Sequence, residues 1–355
     1  MGCGSRRDDR ALSRGGGLTS VVFHAPRHVG RTIGYQKYYL LGFEEAARLR
    51  IRGLPPVPGV RAKVSLAYRL GRGRGEAWVG RYVCEGVRFA IDAHDRREVK
   101  DPEALEWADV YFKANRWPED SLDPKVLPIV NGNGLLDRGK IAHLRSLRAA
   151  PKEVDLAYVS NVWGGREHSL RVFERLAELD CSKDLLAIFP EGFPPDEDAE
   201  NMERLRARGI AVTRDPVPPR ELWRRLARAR LVPMRAGKHL CWSWRTIDLL
   251  AMGACIVFDA LPPPRWPVPI EPGVHVTDCG IARPDDTEAA PEAEYDKVPA
   301  TIEALIAAPD EQQALRAAAA RYFDVCAAPG AVARYVLETL ERNGRASTVT
   351  SSPTR

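Results

Sequence analysis

The sequence lacks the cysteine and histidine patterns that mark disulfide frameworks and metal centres. Its seven cysteines are scattered, odd in number, and form no Cys-x-x-Cys pair. Its seven histidines form neither His-x-x-x-His nor His-Glu-x-x-His, and no Asp-x-Asp separates two strands of the first half. We therefore expect no structural disulfide, no bound metal and no other cofactor, in a protein of the reducing cytoplasm.

Long apolar runs are missing as well. The longest candidate, Leu249 to Leu261, is interrupted by Asp259 and is shorter than the roughly 18 apolar residues that cross a bilayer. The opening residues are followed by no apolar segment of the kind a signal peptide has. A myristoylation motif requires Ser or Thr where this sequence has Arg6. We expect a protein without a membrane span or secretion signal.

Charge is unevenly distributed along the chain. Residues 19–150 carry a net charge of +8, whereas residues 151–340 carry −7. Such an asymmetry indicates that the first half faces an anionic partner, which includes an anionic substrate, a nucleic acid or peripheral contact with a membrane. A solvated basic surface explains the same numbers equally well.

Short apolar runs alternate with longer amphipathic stretches, which is typical of an α/β protein with mostly parallel sheets. The pattern restarts near residues 149–152, where a basic helix ends in Ala-Ala-Pro. We therefore predict two Rossmann-like domains that face each other across a cleft, with a C-terminal helix crossing back. We predict a disordered tail over residues 1–18, an N-terminal domain over 19–150 that binds the acceptor and a C-terminal domain over 151–330 that binds the nucleotide sugar. The crossing helix is predicted over 331–342 and a second disordered tail over 343–355.

The most informative stretch runs from Met234 to Pro267. A predicted strand ends near Met234, and Arg235 and Lys238 follow on a glycine-containing loop. Ser243 is a favourable N-cap for the next helix, and Arg245 lies in that helix's first turn.

This arrangement predicts an anion site. The amino end of a helix offers unpaired N–H groups and a positive dipole end, both of which favour phosphate. Arginine matches phosphate oxygens in pairs, and lysine adds a point charge. Arg235, Lys238, Ser243 and Arg245 are therefore candidate ligands for a diphosphate. Asp248, three residues after Arg245 on the same helix face, is a candidate partner for ribose hydroxyls.

The same residues carry a family resemblance. The run from Ser243 through Arg245, Asp248, Ala251 and Gly253 into an Ile-Val strand resembles the donor-binding helix of GT-B glycosyltransferases, and is most similar to their exostosin-like and CAP10-like members. The resemblance implies a donor site that holds a nucleoside diphosphate sugar such as a UDP-sugar. It implies that the acidic residue holds the ribose and the basic residues hold the diphosphate. This sequence has Asp248 where the usual residue is Glu.

Two further loops are candidates for the donor site. Gly165 and Arg166 follow the first predicted strand of the second half, in the loop that lies near the donor phosphates in GT-B proteins. Glu191 follows the next strand, at a position suited to the nucleobase. An ordinary loop or turn explains each of these segments as well.

Asp92, His94 and Asp95 follow a predicted strand of the first half and are the candidate catalytic residues. A histidine between carboxylates is a reasonable general base for an acceptor hydroxyl. A structural role for His94 at a neighbouring helix is the alternative. His24 and His28, after the first strand, are rival bases.

These features favour a metal-independent transferase of the hexosyltransferase type. Its acceptor is unidentified, an anionic one included among the options: a glycan, a lipid-linked sugar, a small molecule or a nucleic acid. Two alternatives remain. One is a sugar-nucleotide epimerase on the same fold, since a fold does not fix an activity. The other is a non-catalytic protein that binds nucleic acid or an anionic membrane through its basic half.

Overall fold

We describe the protein from a computed structural model, which covers residues 19–24, 29–52, 78–162, 166–190, 195–282 and 289–349. None of the helices in these ranges is both long enough and apolar enough to cross a membrane. The predicted tail 1–18 lies outside the described ranges.

The N-terminal domain is built on a six-stranded mixed sheet. Its strands are β1 (Ser20–His24), β2 (Arg48–Arg52), β3 (Val79–Cys84), β4 (Val87–Asp92), β5 (Val110–Lys113) and β6 (Val126–Pro128), in the order β2-β1-β3-β4-β5-β6. Its helices are α1 (Val29–Ala46), α2 (Pro102–Trp107) and α3 (Arg138–Ser146). Strand β3 is antiparallel to both neighbours and the other pairs are parallel. The sheet is therefore less regular than predicted.

Strand β2 corrects a predicted helix. The amphipathic stretch near Tyr35–Arg50 predicts a single helix there, but α1 ends at Ala46 and β2 begins at Arg48. The sequence Arg-Leu-Arg-Ile-Arg alternates with period two, and Leu49 and Ile51 are buried while the arginines are exposed. This alternation is the strand signal that the helix prediction overlooked.

The C-terminal domain is built on a six-stranded parallel sheet. Its strands are β7 (Val154–Asn161), β8 (Lys183–Ile188), β9 (Ala211–Thr213), β10 (Ala229–Met234), β11 (Ile256–Phe258) and β12 (Thr277–Asp278), in the order β12-β11-β10-β7-β8-β9. Its helices are α4 (Arg166–Glu178), α5 (Pro195–Arg206), α6 (Pro219–Ala227), α7 (Trp244–Ala251), α8 (Lys297–Ile306) and α9 (Pro309–Tyr322). This is the strand order of a doubly wound Rossmann domain.

The last helix, α10 (Pro329–Val349), crosses back to the N-terminal domain. It packs closely against α1. If Gly42 of α1 were alanine, its Cβ would lie 2.1 Å from the carbonyl oxygen of Pro329. The hydroxyl of Tyr335 donates to the carbonyl of Pro128 over 3.0 Å. The prediction of two Rossmann-like α/β domains with a crossing helix is confirmed.

The crossing helix is longer than predicted. It continues from Arg342 to Val349, so the predicted disordered tail 343–355 is wrong for its first part. The chain has no proline between Pro329 and Pro353, and a helix propagates readily once its nucleus is formed.

Candidate functional site

The topology of the C-terminal sheet opens a crevice beyond the carboxyl ends of its central strands. Strands β7 and β10 are neighbours, but the chain leaves them toward opposite halves of the sheet. The loops beyond their carboxyl ends therefore separate and leave a crevice, which is the usual ligand position in open α/β sheets.

A cavity of about 130 Å³ occupies this crevice, and we call it the strand-end cavity. One wall is the end of β7, and the other is the loop after β10 together with the start of α7. The lining residues are Tyr158, Ser160, Asn161, Met234, Arg235, Ala236, Gly237, Ser243 and Arg245. The structure thus brings three predicted diphosphate ligands, Arg235, Ser243 and Arg245, into one cavity.

Two guanidinium groups give this cavity its electrostatic character. A terminal N–H of Arg245 donates to the backbone carbonyl of Val159, and one of Arg235 donates to the hydroxyl of Ser169. Burial lowers the pKa of Arg245, the nearby Tyr158 and Asp248 oppose that shift, and the charge of Arg235 adds to it. A bound anion would relieve both the lost hydration and the repulsion between the two cations.

The amino end of α7 adds neutral donors to the same wall. The Ser243 side-chain oxygen accepts from the backbone N–H of Arg245 at 3.3 Å, so it caps the helix as predicted. Ser243 and Arg245 both line the cavity, so the capped first turn of α7 faces it. Helix dipole and guanidinium charge therefore act on the same small volume.

A second cavity, of about 320 Å³, lies between the domains, and we call it the interdomain cavity. Gly237 and Ser243 line both cavities, so the two adjoin. Its lining residues are Tyr35, Trp78, Ala93, Asp95 and Asn131 of the N-terminal domain and Gly237, Lys238, Cys241, Trp242, Ser243 and Trp244 of the C-terminal domain. Lys238 faces this space rather than the strand-end cavity.

Aromatic rings from both domains meet in the interdomain cavity. The ring of Tyr35 lies 3.8 Å from that of Trp78 and 5.3 Å from that of Trp244, measured between centroids. These amphipathic surfaces suit a ligand with an apolar face and polar edges.

Asn131 ties the two domains together at the same place. Its side-chain N–H donates to the backbone carbonyl of Trp242 at 2.6 Å, while its Oδ1 is buried and accepts no hydrogen bond from the described residues. A buried acceptor without a partner is costly, so the contact between the domains is incompletely satisfied at this atom.

Asp92 is a structural residue in this fold. Its carboxylate is fully buried and accepts from the ammonium of Lys113 at 3.1 Å, the hydroxyl of Tyr111 at 3.0 Å and the backbone N–H of His94 at 2.9 Å. Every one of these partners is internal, and Asp92 does not line the interdomain cavity.

The hydrogen bonding of His94 makes it a poor base. Its Nδ1 accepts from the backbone N–H of Arg96 at 2.9 Å, so in the neutral ring the proton is on Nε2. Burial lowers the pKa of His94, and its ring packs on Trp78 at 4.8 Å. Asp95, by contrast, lines the interdomain cavity, and its carboxylate is 3.5 Å from His94 Nδ1.

Asp248 lies away from the strand-end cavity. It is 7% exposed, and its two carboxylate oxygens accept from Asn133 Nδ2 at 2.8 Å and from Trp223 Nε1 at 2.9 Å. Burial raises the pKa of Asp248 to about 6. Its contacts join α6, α7 and the segment after β6, which is a structural arrangement and leaves no oxygen directed at a ribose.

The remaining candidates are two donor-site loops and the two rival histidines. Gly165, Glu191 and His28 lie outside the described residues. Arg166 begins α4, but its side chain is not among those described. His24 ends β1, where its ring contacts that of Trp107 at 6.1 Å, and burial lowers its pKa.

Sequence reasoning missed the N-terminal wall of the interdomain cavity. Asn131 and Asn133 belong to an Asn-Gly-Asn-Gly run just beyond β6, and both bond to the C-terminal domain. The intervening Gly132 leaves room for Tyr38, whose ring would be 2.3 Å from an added Cβ. Two Asn-Gly pairs after a strand were the available signal, since glycine there permits close approach of backbone and ring.

No protein-family model and no curated protein matches the chain. Solved structures do resemble it. A glycosyltransferase from Rickettsia africae is 10% identical, with a TM-score of 0.48 over 88% of this chain and 80% of its own. Anabaena Alr3699/HepE in complex with UDP-glucose is 13% identical, with a TM-score of 0.44 over 91% of this chain and 100% of its own. MurG from Acinetobacter baumannii is 13% identical, with a TM-score of 0.39 over 88% of this chain and 76% of its own. At these identities and scores the likeness concerns the arrangement of the chain, and no activity follows from it.

Proposed function

We propose that the protein is a glycosyltransferase that transfers a sugar from a nucleoside diphosphate sugar, without a metal ion, to an acceptor held in the interdomain cavity. The observation that carries the proposal is the strand-end cavity. Two guanidinium groups and a capped helix amino end converge there, and the cavity adjoins a larger space between the domains.

The diphosphate of the donor binds in the strand-end cavity. Arg245 keeps four of its five N–H groups after donating one to Val159, and Arg235 lines the same space. When the bond from the sugar to the diphosphate breaks, negative charge develops on the departing oxygen. Fixed cations stabilise that charge, which is the role a divalent ion has in metal-dependent enzymes.

The acceptor binds against the aromatic rings of the interdomain cavity. A sugar ring has an apolar C–H face and hydroxyls around its edge, which matches the rings of Trp78 and Trp244 with Asp95 and Asn131 nearby. We therefore favour a carbohydrate acceptor. The basic N-terminal half is consistent with an anionic group elsewhere on that acceptor, and with peripheral contact at a membrane.

Asp95 is the proposed general base. Asp95 lines the interdomain cavity and its side chain is partly exposed, whereas Asp92 is paired internally and His94 Nδ1 is occupied. The proton of the acceptor hydroxyl would pass to Asp95 as that oxygen forms its bond to the sugar. In this scheme His94 and Asp92 hold the loop that presents Asp95. The similarity to exostosin-like and CAP10-like donor motifs remains part of the same proposal.

A ligand screen tests the proposal. We expect UDP, GDP or a related diphosphate to raise the melting temperature by about 5 °C at a concentration 100 times its Kd. UDP-glucose and a mixture of oligosaccharides are then incubated with the protein, and products are identified by mass spectrometry. A lengthened oligosaccharide supports transfer, whereas conversion of the donor sugar without acceptor indicates an epimerase. If no nucleoside diphosphate stabilises the folded chain, the proposal is refuted.

A further inference from the structure

The largest of the cavities described here lies at the amino ends of the C-terminal strands, opposite the strand-end cavity. It measures about 410 Å³ and lies at the amino ends of β7 and β10, against α9. We call it the amino-edge cavity. Its lining residues are Lys152, Glu153, Val154, Asp155, Ser182, Arg230, Pro309, Gln312, Gln313 and Arg316.

Both acidic residues of this cavity are neutralised by arginines. Asp155 pairs with Arg230 at 3.1 Å and also accepts from the hydroxyl of Ser182 at 2.7 Å. Glu153 forms an ion pair with Arg228. Neither carboxylate therefore compensates the other cations of the cavity.

Lys152 and Arg316 are the uncompensated cations. Lys152 donates to the carbonyl of Ala227 at 2.6 Å, and Arg316 donates to the carbonyl of Arg148 at 3.5 Å and to the side-chain oxygen of Gln313 at 3.3 Å. Neither forms an ion pair with any carboxylate in the part of the chain described. The Nε–H of Arg316 is also buried without an acceptor there.

The two cations act on each other. Burial lowers the pKa of Lys152 to about 8, and the charge of Arg316 contributes in the same direction. Burial also lowers the pKa of Arg316, and the neighbouring Cys255 thiol does not neutralise it, because burial raises the pKa of that thiol to about 12. Two half-buried cations that repel each other across a polar cavity are stabilised when an anion enters.

We propose that the amino-edge cavity is a second anion site, in which Lys152 and Arg316 bind the phosphate groups of a small phosphorylated compound. The volume is within the range of small-molecule sites and exceeds what a single phosphate fills. Ser182, Gln312 and Gln313 supply polar groups for the remainder of the ligand. Because Arg148 and Lys152 both lie between α3 and β7, in the connection between the domains, and Arg316 bonds to the carbonyl of Arg148, a bound anion would join that connection to α9.

Protection of Lys152 from acetylation tests this site directly. The full chain is acetylated briefly at pH 8 with and without inorganic pyrophosphate, and acetyl-Lys152 is quantified by mass spectrometry. At pyrophosphate ten times its Kd, we expect labelling of Lys152 to slow about elevenfold. The readout is specific to this lysine, so pyrophosphate bound in the strand-end cavity does not imitate it.

Two variants on α9 complete the test. Arg316→Gln removes the second cation, and Arg321→Gln removes an exposed arginine of the same helix. The labelling rate of each variant with pyrophosphate is compared with its own rate without it. We expect Arg321→Gln to keep the native apparent Kd for pyrophosphate, and the apparent Kd of Arg316→Gln to rise at least tenfold. If Arg316→Gln does not fold, Arg316→Lys replaces it and should retain protection at higher pyrophosphate. Unprotected Lys152 in the native chain, or equal protection in the native chain and Arg316→Gln, overturns the proposal.

Discussion

Replacement of Arg245 by glutamine separates ligand binding from stability. In the native chain a terminal N–H of Arg245 donates to the Val159 carbonyl, and the shorter glutamine side chain ends where the arginine Nε lies, so this hydrogen bond is lost. The guanidinium charge is lost, together with its remaining N–H groups. Because burial and the charge of Arg235 both disfavour the charged form of Arg245, removing that charge should offset the loss of this one hydrogen bond.

The size of the binding defect follows from the bonds lost. Two charge-assisted hydrogen bonds to a diphosphate contribute about 1.5 kcal/mol each at the lower end of their range, or about 3 kcal/mol together. Since each 1.4 kcal/mol is tenfold, we expect the Kd for UDP to rise about 150-fold. The melting temperature without ligand should stay close to that of the native chain.

Isothermal titration calorimetry with UDP measures the first quantity and differential scanning calorimetry the second. Arg224→Gln, on the solvent side of α6 in the same domain, is the matched control and should bind UDP normally. A folded Arg245→Gln protein with native affinity for UDP would refute the diphosphate site, and with it the proposed transfer reaction.

Four further results are expected. Asp95→Asn should lower turnover at least 100-fold while leaving the Kd for UDP unchanged, because a general base acts on the acceptor. Turnover should persist in EDTA, because the proposed leaving-group stabilisation comes from guanidinium groups. Burial raises the folded-state pKa of Asp248 from 3.8 to about 6, so native stability should decrease as pH rises through that window. Relative to Asp248→Asn, chemical denaturation should therefore show the native chain losing about 2 kcal/mol between pH 4 and pH 7. Gly42→Ala should destabilise the fold by about 1–3 kcal/mol in the same assay, because its Cβ would lie 2.1 Å from the Pro329 carbonyl oxygen.

Each result has an outcome that contradicts it. Weakened UDP binding in Asp95→Asn would place that residue in the donor site. Activity lost in EDTA and restored only by Mg²⁺ or Mn²⁺ would contradict metal independence. Parallel pH profiles for Asp248→Asn and the native chain would mean that the carboxyl is not desolvated. Gly34→Ala, on the same helix with no atom within 4 Å of its added Cβ, is the control for Gly42→Ala and should be tolerated.

Local sequence patterns were sufficient for the C-terminal domain. Its strands are short apolar runs followed by amphipathic helices, so periodicity locates them and the parallel order follows from the connections. The N-terminal domain was harder to predict, because β2 alternates arginine with leucine and isoleucine directly after a helix, and β3 pairs antiparallel with both neighbours. Such pairing depends on contacts between distant segments, which no local window contains.

The sequence by itself determined that Arg235, Ser243 and Arg245 adjoin a helix start after a strand, because capping and strand termination are local effects. Only the tertiary structure decided what each charged group near the site contacts. The fold buries Asp92 against Lys113 and Asp248 against Trp223, and it leaves Asp95 facing the cavity between the domains. A carboxylate on a motif helix and one in a cleft look alike in sequence. Their roles differ because desolvation and partners such as Lys113 and Trp223 come from segments distant in sequence.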